Sequence, residues 1–170
     1  MNVPVLIIRT AHILLGTFWV GAIFLVAFFV GPAVSDAGPD GAKVMAALVK
    51  RRLLNVVPAF ATITILTGFW LFSRDSAGFQ GDFMSSRMGM SLGTGGLLAL
   101  VGYVIGLTVM RPSTLKAMAL GQSAAQLPEA ERGAVMARIQ QLRGRAAMAG
   151  RTVAVLLMFA VVAMAVARYL

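Results

Sequence analysis

Residues 10–35 read TAHILLGTFWVGAIFLVAFFVGPAVS, with no Asp, Glu, Lys or Arg among them. At about 1.5 Å per helical residue the stretch outreaches a hydrocarbon core of about 30 Å. Lipid supplies no partner for backbone N–H and C=O groups, so a run of this length has to be helical. Three further runs lack the same four residue types: 55–73, 88–110 and 152–167. The last is shorter, but Arg151 and Arg168 flank it and can extend their charged ends to the two interfaces.

Composition agrees. A chain of 170 residues that is 59% hydrophobic and 12% charged has more apolar surface than one soluble core can hide. The reading is an all-α integral membrane protein, a single-domain four-helix bundle. Its spans fall at about 6–32, 55–73, 88–110 and 151–169, joined by cytoplasmic connections 33–54 and 111–150. The first run exceeds the core of roughly 7 to 15 residues found in a signal peptide and reads as a retained span. With no cysteine, disulfides, thiolate metal sites and thiol redox chemistry are all excluded.

Charge placement gives an expected orientation. Lys43, Lys50, Arg51 and Arg52 in the first connection, with Arg111, Lys116, Arg132, Arg138, Arg143, Arg145 and Arg151 in the third, hold eleven of the fifteen basic residues. The positive-inside rule makes that side cytoplasmic and turns both termini outward. Trp70 and Tyr169 then fall at the outer interface, where amphipathic rings settle. The net charge of +9 reads as topology and lipid attraction. Nucleic acid is not an expected partner, since that footprint needs a basic stripe on a soluble, aromatic-bearing domain. Lys50, Arg51, Arg52, Arg138, Arg143 and Arg145 are the candidates for contact with lipid or a partner.

The connections carry local signals. Residues 35–41, SDAGPDG, are turn chemistry, after which 43–54 reads as a short basic helix leading toward Pro58. Pro128 suits the first position of a helix, and Glu129 and Glu131 its positive dipole end. Val135, Ile139 and Leu142 follow at helical spacing, which predicts an amphipathic helix continuous with the fourth span through Gly144 and Gly150. Its apolar stripe is expected to pack on the membrane surface or on a partner. In the third span, Ser91, Gly95, Ala99, Gly102 and Gly106 form one small-residue stripe ending in a close-approach motif. A neighbouring helix, a planar cofactor and a neighbouring subunit all remain open as what it faces.

His12 is the only histidine, with Arg9 one turn before it. An ionisable group at such a depth is a functional candidate by default. His12, Gly16, Trp19 and Ile23 share a helix face, and Gly16 leaves room below the imidazole. That imidazole can bond a neighbouring helix, or ligate a metal or haem b. Bis-histidine haem ligation within one chain is excluded by count. Of eleven methionines, Met84, Met88, Met90 and Met164 are expected at the same level, and thioether with imidazole suits Cu(I). His12 with Met88 is therefore the candidate metal pair, and His12, Arg9, Gly16 and Trp19 the candidate cofactor site.

Arg9-x-x-His12, followed by residues 16–21 (GTFWVG) and Phe24, then Lys50-Arg51-Arg52-Leu53 leading to Pro58 and residues 66–71 (LTGFWL), resembles two related membrane families. These are the copper-resistance D proteins and the four-helix bacterial protoporphyrinogen oxidases. The similarity covers most of the chain, through largely apolar motifs. In the oxidase family the histidine matching His12 is implicated in haem binding. Its third helix carries an essential lysine and a second histidine. Matching through Tyr103 puts Gly93 and Val104 at those positions here, so the resemblance carries over the first histidine alone. The ending at residues 164–169 (MAVARY) is similar to the copper-resistance group.

These readings lead first to a non-catalytic accessory subunit of a larger redox or photosynthetic assembly in a bacterial inner membrane. A haem-dependent oxidoreductase and a copper-handling protein are the alternatives. No catalytic residue is assigned.

Overall fold

The computed structural model describes residues 3–124 and 126–170, and all regular structure among them is helical. Six helices follow one another: α1 (Val3–Asp36), α2 (Gly38–Lys50), α3 (Leu53–Asp75), α4 (Gly81–Ser85), α5 (Arg87–Ala124) and α6 (Glu129–Tyr169). Four of them, α1, α3, α5 and α6, are long and apolar enough to cross a membrane. Their outer faces expose Leu6, Ile13, Leu66, Phe69, Leu97 and Phe159, the side chains that a bilayer would cover.

These four helices associate as two pairs. α5 lies along α6 over the longest contact and α1 along α3 over the next, while α3 with α5 and α1 with α6 form narrower seams. α1 and α5 barely touch. Trp19 and Ile23 from α1, Val57 and Ala61 from α3, Ala99 from α5, and Val153 and Leu157 from α6 meet in the shared core.

Prolines shape three of the four helices. Pro32 and Pro112 have no N–H to continue an ordinary helical ladder, yet α1 and α5 run straight through them. Each helix widens just upstream into a π turn, at Val26–Val30 and Gly106–Met110. The N–H of Gly31 then reaches Val26 O, and that of Arg111 reaches Gly106 O. Helices α1 and α5 therefore run on past residues 32 and 110, where the expected spans stop. α1 continues to Asp36, and α5 continues for a further fourteen residues from Arg111 to Ala124.

That continuation changes the long connection expected at 111–150. It is a helical hairpin built from the extension of α5 and the first part of α6. Ala117 and Ala124 bury against Ile139 and Leu142, with Leu120 and Val135 closing the sides. The predicted amphipathic helix is present and begins at Glu129, with Pro128 as its cap residue. Its apolar stripe covers α5, not the membrane surface. In the first connection, helix α2 already begins at Gly38, where a turn was expected, and stops at Arg51 and Arg52. Arg52, at φ 62, occupies the left-handed region and starts α3 in a new direction.

Candidate functional site

His12 sits against α3, one turn from the Arg9 end of α1. Its Nδ1 lies 2.9 Å from the Thr64 carbonyl oxygen and 3.3 Å from Thr67 Oγ1. The Thr67 hydroxyl is within donating distance of Ile63 O at 2.7 Å and of Thr64 O at 3.1 Å, so its hydrogen already belongs to its own helix. A carbonyl only accepts, so Nδ1 carries the proton and donates to Thr64 O. Nε2 makes no hydrogen bond among the described residues.

Gly68 makes this approach possible. A Cβ there would stand 2.7 Å from His12 Cε1 and 3.2 Å from Nδ1, so any other residue displaces the ring. Gly16, expected to leave room for a ligand, instead admits the Thr64 methyl: its own Cβ would lie 3.3 Å from Thr64 Cγ2. Arg9 Nη2 donates to Asp75 Oδ2 at 3.0 Å, while Arg74 Nη1 reaches Asp75 Oδ1 at 3.3 Å. His12, Arg9 and Gly16 thus converge on one seam, that between α1 and α3.

Trp19 leaves that group. Only 4% exposed, it lies in the shared core with its indole edge-on to Tyr103 at 6.3 Å, and the Tyr103 hydroxyl bonds Thr62 Oγ1 at 2.7 Å. Met88 is exposed in the first turn of α5, a helix that packs on α3 and α6 and barely meets α1. Met164 packs against α5, its Cγ 3.0 Å from where a Gly95 Cβ would be. No group of three or more His, Asp or Glu side chains gathers among the described residues.

The small-residue stripe divides in two. Ser91, Gly95, Ala99 and Gly102 face α6: Ser91 Oγ donates to Ala163 O at 2.7 Å, and a Cβ on Gly95 would lie 3.0 Å from Ala160 O. A Cβ on Gly102 would touch Val153 and Leu157 at ordinary contact distance. Gly106 differs, because a Cβ there would meet nothing within 4 Å. It opens onto a cleft of about 70 Å³ between the two helix pairs, lined by Trp19, Val57, Pro58, Met110 and Val153 among others.

Arg111 stands at the edge of that cleft. Pro58 has no N–H to give the carbonyl four residues back, and Arg111 Nε donates to that same carbonyl, Leu54 O, at 3.1 Å. Its Nη2 donates to Asn55 Oδ1 at 3.0 Å. The cleft and the place of Arg111 in it are what sequence reasoning missed; the available signal was Pro58 one turn inside α3, a sure source of an unpaired carbonyl. Lys50, Arg51 and Arg52 are exposed where α2 gives way to α3, and Arg138, Arg143 and Arg145 are exposed along the hairpin part of α6. None of the six forms an ion pair among the described residues.

Comparison with protein-family models, with curated proteins and with solved structures finds no match to this chain.

Proposed function

We propose that this chain is a non-catalytic accessory subunit that packs into a larger membrane assembly, of the redox or photosynthetic kind. One observation carries the reading: the polar side chains near His12 are engaged in joining helices. His12 is tied to Thr64, Arg9 to Asp75, and Gly16 is closed over by a methyl group. By the positive-inside rule the hairpin and the α2 end face the cytoplasm and both termini face outward, in a bacterial inner membrane. There the exposed Arg138, Arg143 and Arg145 offer a basic surface to acidic partners or lipid.

The test is gentle solubilisation of the full chain from its native membrane, followed by native electrophoresis and identification of what migrates with it. Other membrane subunits are expected in fixed ratio. Migration as a lone 17.9 kDa chain overturns the reading.

A second reading rests on the unpartnered Nε2 of His12. An imidazole whose other nitrogen donates to a backbone carbonyl is held as metal-ligating histidines are held. His12 Nε2 is the one group that would hold the iron of haem b, and the residues around it do not enclose such a group. The cleft does not include His12, and it begins at Trp19, seven residues or about 10 Å along α1. A haem at His12 would therefore be shared with a partner chain. Absorbance in the Soret region that disappears in His12→Ala but survives in Arg9→Ala supports this reading, and its absence in the native assembly removes it. Copper has less support, because Met88 lies on the helix that barely meets α1.

A further inference from the structure

The cleft beside Gly106 has a chemistry that the accessory-subunit reading does not use. Its walls are almost wholly apolar, and they come from all four long helices. Two of those walls include π turns, with Val26 from one and Gly106 and Met110 from the other facing the cleft. Such turns are often found at functional sites. About 70 Å³ is far below the roughly 300–1,000 Å³ of pockets that enclose compact drug-sized ligands. A segment of a narrow, flexible hydrocarbon fits it, with the rest of the chain outside, and a macrocycle does not.

Charge identifies the other end of the occupant. Arg111 is held by two neutral acceptors, Leu54 O and Asn55 Oδ1, and forms no ion pair among the described residues. Its Nη1 makes no hydrogen bond among them either. A cation at the edge of an apolar cleft is compensated best by an anion bonded to its free donors. Arg51 and Arg52 immediately precede Leu53, itself part of the cleft wall, and add positive charge on the same side. Of the carboxylates of this end, Asp40 is engaged by Lys43 at 2.7 Å, and neither it nor Asp36 pairs with Arg111.

We infer that the cleft takes a segment of one acyl chain of an anionic phospholipid, with its phosphate on Arg111. The chain end lies along Gly106 toward Val153, and the guanidinium, fixed by Leu54 and Asn55, presents its remaining N–H groups to the phosphate. Basic pockets between membrane helices recognise anionic headgroups in this way. Gly106 keeps the passage open, a different role from that of Gly95 and Gly102 on the same stripe.

The test is native mass spectrometry of the full chain released from nanodiscs containing phosphatidylglycerol and phosphatidylcholine with identical acyl chains. The wild type is expected to retain phosphatidylglycerol preferentially, because the choline cation of phosphatidylcholine already balances its phosphate. Arg111→Gln should lower that retention about tenfold, the scale of one hydrogen bond to a charged group. Gly106→Leu fills the cleft, removes neither Leu54 O nor Asn55 Oδ1 from the Arg111 guanidinium, and should lower retention of both lipids. Gly96→Leu, on the same helix where a Cβ also meets nothing within 4 Å, should change neither. Equal retention of the two lipids by the wild type, or unchanged retention in Gly106→Leu, overturns the inference. Displacement by free oleate as efficiently as by phosphatidylglycerol also overturns it, since the phosphate would then be dispensable. If Arg111→Gln does not fold, the Gly106→Leu result and the wild-type lipid preference still decide.

Discussion

The two helix pairs join by different chemistry. Between α5 and α6, small residues let the backbones meet: Gly95 lies under Ala160 O, Ala99 is buried, and Ser91 supplies one hydrogen bond to Ala163 O. Between α1 and α3, a large polar side chain is brought in and given a seat, with His12 on Thr64 O and Gly68 recessed to accommodate the ring. In lipid no hydrophobic drive separates helix from solvent, so association rests on close packing and on hydrogen bonds worth about 1 kcal/mol each. The first pair draws mainly on packing along its length and the second on a few polar joints. The packed pair is expected to be insensitive to most single changes and intolerant of added bulk. The jointed pair should respond to a handful of residues.

The largest effect is expected at Gly95. A leucine there wedges its branched side chain between α5 and the Ala160 carbonyl, which is backbone and cannot rotate away. Gly95→Leu should destabilise by about 3 kcal/mol, the upper range for overpacking, measured by steric trapping or forced unfolding in bicelles. Ser91→Ala, on the same seam, should lose only about 1 kcal/mol. If the order is reversed, α5 and α6 are held by their hydrogen bond and the contrast between the pairs fails.

An intermediate effect with a change of sign is expected at Gly68. In the wild type, Gly68→Ala places a methyl 2.7 Å from His12 Cε1 and unseats the ring, at a loss of about 2 kcal/mol. In a His12→Ala background the obstacle is gone, and replacing a helical glycine by alanine should stabilise by up to about 1 kcal/mol. The double-mutant cycle therefore isolates the seat itself. Additive effects of the two substitutions would mean that the His12 ring does not rest on Gly68.

How much of this was legible in the sequence follows from which signals are local. Four helices long and apolar enough to cross a membrane were readable from charge-free runs, because backbone satisfaction in lipid leaves no alternative. Their true lengths were not, because a charge-free run marks what lipid can cover and not where a helix stops, and only the three-dimensional ladder shows π turns carrying α1 and α5 past Pro32 and Pro112. His12 was recognisable because it is unique, and Arg9 because it is adjacent. Their partners, Thr64, Gly68 and Asp75, lie more than fifty residues away. Periodicity on α1 pointed to Gly16 as the open space, since it sees only the face on which a residue lies. Thr64 and Gly68, one turn apart on α3, were the readable half of the seat. The pairing of Arg111 with the carbonyl freed by Pro58 needed the packing of α3 against α5, which no spacing rule supplies.

The smallest effect separates the polar joints of α1 and α3 from one another. Arg9 and Asp75 pair at 3.0 Å, but the arginine side chain is 52% exposed and the aspartate 25% exposed, so solvent competes for both. Pairs of this kind contribute from about 0 to 1 kcal/mol. A cycle of Arg9→Ala and Asp75→Asn should give a coupling below about 1 kcal/mol that shrinks further in molar salt, where the screening length falls to about 3 Å. The His12 bond to Thr64 O ends on an uncharged backbone carbonyl, and its contribution should not follow ionic strength in the same way. If the Arg9 and Asp75 coupling instead exceeds the loss in His12→Ala and resists salt, α1 is fastened to α3 by charge. His12 would then be free of a structural duty, and the argument for it as a ligand would be the stronger one.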